Sequence, residues 1–176
     1  MQLSILRKIS IFLFFILFFS GCTPEWRRYD NKEFKFSILL PGSWKIEQGA
    51  FNTIVMALPV GQKNNLVSNR SINVIVTELS EDFSLNTFFE LNKEELQRTL
   101  VVDNQIYDGE IYAGPLLGKW VIFEHLLEKV RLKTISAVWM KGRRIYTVTC
   151  SCQLEDFAKY KPVFDKVLRS LRIKQS

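Results

Sequence analysis

Residues 119–152 read KWVIFEHLLEKVRLKTISAVWMKGRRIYTVTCSC, and this stretch decides the fold. Three runs, 119–127, 132–140 and 143–152, are rich in the β-branched and aromatic residues that suit a pleated, half-buried surface. Only a few residues around Glu128-Lys129 and Lys141-Gly142 separate them. Links this short join antiparallel neighbours, because a parallel crossover needs a dozen residues or more. The stretch therefore predicts a three-stranded antiparallel meander.

Working outward, residues 105–113 form a further strand, with Asp108-Gly109 as a local turn or bulge and 114–118 as its connection to the meander. Upstream, Ser84 is a good helix cap, and Leu85, Phe88, Phe89, Leu96 and Leu100 recur at helical spacing. Such a helix is not stable alone in water, so its apolar stripe must lie on a sheet. Residues 34–39, 44–47, 53–58 and 71–79 read as strands, the last with Ile72, Val74 and Val76 on one face. Between them, residues 59–70 lose all periodicity and carry Pro59, Gly61, Lys63, Asn64, Asn65, Ser68 and Asn69, a long loop. After the meander, Phe157, Tyr160, Phe164, Val167 or Leu168, and Leu171 return to helical spacing. Pro162 is expected in the first turn of that helix, where its missing N–H costs nothing. The result is an α+β domain, a central, largely antiparallel sheet covered by helices.

The amino terminus has a different character. Arg7-Lys8 precede the apolar run Ile11 to Phe19, and Ser20-Gly21 stand directly before Cys22. A basic region, an apolar core and small residues at the end are the parts of a secretory signal. The run is short for a membrane-spanning helix, which needs about 20 apolar residues. With cysteine in this place, residues 1–21 resemble a bacterial lipoprotein signal and Cys22 is the expected site of lipidation. Residues 22–32 then read as a lipidated tether and 33–174 as the domain. Loss of the signal removes Arg7 and Lys8, so the formal charge falls from +6 to +4. That modest excess argues against nucleic acid and is compatible with an anionic lipid surface. Trp26 and Tyr29 beside Arg27 and Arg28 are expected at the membrane interface. Thr23, in place of Asp, favours an outer-membrane, periplasm-facing destination in a two-membrane bacterium.

The opening Phe34-Lys-Phe-Ser-Ile-Leu-Leu-Pro-Gly-Ser-Trp44 resembles the first strand, proline turn and tryptophan of PsbP-like domains. Asn73-Val-Ile-Val76, the Phe/Leu helix, Arg144-Ile-Tyr-Thr-Val-Thr149 and Tyr160-Lys-Pro-Val-Phe164 follow in the same order. The resemblance implies an α/β/α sandwich over about residues 30–174. That superfamily includes the extrinsic photosystem II subunit, the yeast Ran-binding nuclear import factor and many small bacterial lipoproteins. Trp44, Phe36, Tyr146, Pro162 and Phe164 match as packing residues, and a shared fold does not carry a function with it.

Catalytic signatures are sparse. The chain has no glycine-rich phosphate loop, zinc-protease motif or nucleophile elbow. A hydrolase built on His125, the sole histidine, needs a nucleophile (Ser136 or Ser151) and an orienting acid within reach. A surface or hydrogen-bonded sheet histidine is the plainer reading. Cys150 and Cys152, two apart on one strand face, read as buried thiols; a strained bridge and metal or redox duty are the alternatives. No catalytic residue, cofactor or metal is expected. The reading is a non-catalytic, membrane-tethered binding or assembly module for another envelope component, with an envelope protein as the expected partner. Its contacts are expected at Lys63, Asn64, Asn65, Leu116, Lys141, Arg143 and Arg144. The alternative is a carrier of a small hydrophobic or lipid-like ligand.

Overall fold

Alternation along the meander gives the sheet two different faces. Ile122, Ile135, Ala137, Trp139, Val148, Cys150 and Cys152 are buried on one, while Val121 and Phe123 are buried on the other. The computed structural model describes residues 25–61, 70–99 and 101–174. It contains strands β1 (Trp26–Asn31), β2 (Phe36–Pro41), β3 (Trp44–Gln48), β4 (Val55–Pro59) and β5 (Ser71–Glu78). Helix α1 (Leu85–Thr99) follows, then β6 (Val101–Ala113), β7 (Leu116–Leu127), β8 (Val130–Lys141) and β9 (Arg144–Gln153). Helix α2 (Phe157–Ser170) and β10 (Arg172–Ile173) end the described chain.

Seven strands form the large sheet in the order β3-β4-β5-β9-β8-β7-β6, with every pairing antiparallel. The expected meander is its β7–β9 portion. Helix α2 buries Phe157, Phe164, Val167 and Leu168 against one face. Helix α1 covers part of the other, where Phe89 is buried with Val121 and Phe123. Two helices on opposite faces make the α/β/α arrangement. A fully buried side chain of the Phe164 kind contributes about 1.5–3 kcal/mol, and α2 has four buried apolar side chains to the single one of α1.

Four features differ from the sequence reading. Residues 26–31 are a strand: β1 pairs with β2 over six residues, and Trp26 and Tyr29 pack against the main core. Both stay partly exposed, and the Lys166 ammonium sits 4.3 Å above the Trp26 ring. Second, β1, β2 and β10 form a separate three-stranded sheet, whose Phe36, Ile38 and Leu40 share the core of α2. Third, Pro162 lies inside α2, which already begins at Phe157 behind a 3-10 turn at Leu154–Asp156. Pro162 and Ala158 are both exposed, so the carbonyl that loses its partner opens to water. Fourth, Asp108-Gly109 is no turn: β6 runs through it, and Gly109 leaves room for the Trp120 ring.

Candidate functional site

Three chain reversals meet at one end of the molecule. Lys141 pairs with Arg144 around Gly142, whose φ of 58° suits a residue without Cβ. The β6–β7 reversal turns on Gly114, φ 63°, and sets Leu116 at the start of β7. The third is the β1–β2 connection, where the Asn31 side-chain oxygen accepts the Phe34 N–H at 2.8 Å. Strand β10 joins them from the carboxyl end, and the Lys174 N–H donates to the Lys35 carbonyl at 2.8 Å.

Between these reversals lies an open recess of about 320 Å³ lined by Lys35, Glu78, Lys141, Arg143, Arg144, Tyr146 and Lys174. Two of its cations are matched: Arg144 bonds Glu78 at 2.8 Å, and Lys174 pairs with Asp30. The Glu78 hydrogen bond raises the pKa of Arg144 further. Lys141 donates to the Lys174 carbonyl at 2.7 Å, and Arg143 donates to the carbonyls of Leu79, at 2.9 Å, and Ser80. Those bonds orient both side chains but do not neutralise them. Lys35 has no ion pair among the described residues. Tyr146 donates to the Phe34 carbonyl at 3.0 Å, and burial raises its pKa, so the phenol stays protonated. The arrangement presents uncompensated positive charge on a fixed frame, which suits an anionic group.

A second recess of about 270 Å³ adjoins it, lined by Ala113, Pro115, Leu116, Lys141 and Ile173. Lys141 belongs to both. The four described residues named from the sequence, Leu116, Lys141, Arg143 and Arg144, are thus brought together. Lys63, Asn64 and Asn65 lie outside the described residues, as does Cys22. The flanks of the 62–69 segment are at the other end of the sheet, since Ser71 pairs with Ser151 whereas Glu78 pairs with Arg144. Lys35, Ile173 and Lys174 were missed. Lys35 reads as the outward residue of a strand and 172–174 as a helix tail, so neither carries a local signal.

Elsewhere, a groove of about 170 Å³ runs beneath α1, lined by Phe88, Phe89, Leu96, Val121 and Val138 with Asn92, Lys93, Ser136 and Thr147. It is smaller than the roughly 300–1,000 Å³ of usual small-molecule pockets. His125 contacts the Thr134 hydroxyl at 3.0 Å, which in turn contacts Ser151 at 2.7 Å. Ser136 bonds Thr149 instead. Thr134 therefore stands between His125 and Ser151, and Glu124 is engaged by Lys133 at 2.9 Å. The direct base–nucleophile bond of a hydrolase is missing among the described residues. Cys150 and Cys152 are buried free thiols; burial raises both, Cys152 to about 11, so they remain protonated. No group of three or more potential metal ligands occurs among the described residues.

No family model matches the chain, and no curated protein matches it. Solved structures do. Cyanobacterial PsbP (CyanoP) from Synechocystis sp. PCC 6803 superposes with a TM-score of 0.62 at 14% identity, covering 88% of this chain and 96% of its own. The fold is PsbP-like. LpqN from Mycobacterium tuberculosis gives a TM-score of 0.65 at 7% identity, covering 86% of this chain and 91% of its own. A Pseudomonas aeruginosa protein of unknown function gives 0.58 at 10% identity, covering 86% and 99%. At these identities the PsbP-like likeness concerns architecture.

Proposed function

We propose that this chain is a lipid-anchored envelope protein whose basic-apolar pole docks a second envelope protein without catalysis. One observation carries the reading: Glu25 and the recess lie at opposite ends of the domain. The Glu25 carbonyl accepts from Gly42, beside the Pro41 and Trp44 end of the strands. Lys174 meets Asp30 at the far end of β1. A six-residue strand separates those ends by about 17 Å at 3.3–3.4 Å per residue. Cys22 is three residues from Glu25, a reach of at most about 11 Å. Lipid on Cys22 would hold the Glu25 end at the bilayer and turn the recess outward, toward partners and away from the headgroups of the same membrane.

The Arg7-Lys8, apolar and Ser20-Gly21-Cys22 pattern supports the anchor, and two or more acyl chains make a stable one. LpqN, described as involved in cell envelope biogenesis, offers an analogy for the setting. With Thr23 after the cysteine, the outer membrane facing the periplasm is the proposed location in a two-membrane bacterium. The test is a crosslinking pull-down from the native envelope, with Cys22→Ala as comparison. A stoichiometric protein captured by the tethered form alone is the expected result. One retained lipid in the purified protein, with no protein captured, would shift the reading to a carrier using the groove beneath α1.

A further inference from the structure

Resting on that docking reading, we infer that the pole recognises a carboxylate set beside an apolar side chain, as presented by the carboxyl terminus of a protein ending in an apolar residue. The charges come first. Among the described residues Lys35, Lys141 and Arg143 have no carboxylate partner, while the other two cations of the recess are already matched by Glu78 and Asp30. Lys141 and Arg143 are held by neutral carbonyls, so their positions are set before an anion arrives. A donor fixed in advance loses less freedom on binding.

Lys35 adds an independent observation. Its φ is 54°, the left-handed region where a Cβ crowds the backbone and glycine is at ease. Hydrogen bonds on both sides hold it there, from Phe34 N–H to Asn31, from Tyr146 to the Phe34 carbonyl and from Lys174 N–H to the Lys35 carbonyl. A lysine thus occupies a place whose backbone favours glycine, and its ammonium forms no ion pair among the described residues. Strain of this kind gathers at binding sites.

The apolar half sets the size of the occupant. Lys141 lines both recesses, so an anion bound to it has Leu116 and Ile173 beside it. About 270 Å³ of open space admits one or two side chains and is short for the paired acyl chains of a phospholipid. The outward-facing pole also points away from the anchoring bilayer. Carboxyl-terminal capture by oriented donors is an established mode of peptide recognition.

The experiment measures fluorescence anisotropy of the full-length chain in detergent with a labelled hexapeptide ending in Glu-Val-Leu as the free acid. Its controls are the carboxyl-terminal amide and a peptide ending in glycine. The free acid binds, and each control binds about tenfold more weakly, in keeping with loss of a charge-assisted hydrogen bond or of one buried side chain. Lys35→Gly weakens binding about tenfold while its thermal midpoint stays level or rises, since the strain is relieved. That variant separates recognition from folding; Lys141→Met weakens binding as well. Equal binding of acid and amide would overturn the inference. So would Lys35→Gly binding like the parent, displacement by inorganic phosphate at peptide concentrations, or binding to phosphatidylglycerol vesicles alone. Failure of the peptide while the envelope pull-down still captures its partner rejects this recognition chemistry and leaves the docking reading in place.

Discussion

Trp139 shows how closely the core is fitted. It is fully buried on β8, and a Cβ built on Gly118 would stand 2.4 Å from its ring and 2.6 Å from the Val138 carbonyl. Backbone oxygen does not yield as a flexible side chain would, so Gly118→Ala is expected to destabilise the fold by about 1–3 kcal/mol. Urea denaturation checks this, and an unchanged midpoint would show that the ring has room to move. His125 offers a pH test. It is half-buried, and desolvation lowers its folded-state pKa below the ordinary 6.5. The unfolded chain therefore binds more protons as pH falls through about 6.5, and the stability associated with neutral His125 is lost on that descent. His125→Gln retains a partner for Thr134 and cannot titrate. Its stability is expected to fall less steeply than that of the parent between about pH 6.5 and 5. Parallel curves would mean that His125 has the same pKa in both states.

At the level of elements, Pro162 is the clearest local conflict. It withholds one backbone hydrogen bond from α2, yet Phe157, Phe164, Val167 and Leu168 keep the helix on the sheet. An interior proline costs about 3 kcal/mol relative to alanine, partly offset by its restriction of the unfolded chain. Pro162→Ala is therefore expected to stabilise the domain by about 1–2 kcal/mol in calorimetry. A lower Tm would show that α2 needs the proline for its path. The same conflict explains the misplaced helix start, because the preference of proline for a first turn is a local rule and the apolar stripe overrode it. Strands β7 to β9 were legible because they alternate between two buried, unlike faces. Strand β1 was not: Trp26 and Tyr29 are three apart, without the period of two, and Arg27 and Arg28 between them look solvated. Strand β10 has two residues, too few to show any period.

For the molecule as a whole, the layered α+β architecture followed from the order and spacing of apolar runs. The site was legible only in part. Leu116, Lys141, Arg143 and Arg144 stand at turns of a readable meander, whereas Lys35 and Lys174 join them through the small sheet, which connects positions 139 residues apart. No local pattern reports such a distance. The polarity of the domain, with Glu25 at one end and the basic-apolar recess at the other, likewise emerges only from strand register. That polarity is the centre of the functional account. It is tested most directly by placing a photo-crosslinking residue at Leu116 in one form of the acylated protein and at Lys45 in another, then irradiating native envelopes. Lys45 is exposed on β3, at the Glu25 end. The account predicts one discrete protein adduct from position 116, and lipid adducts without that protein from position 45. The same protein captured from both positions, or lipid adducts from position 116, would contradict it.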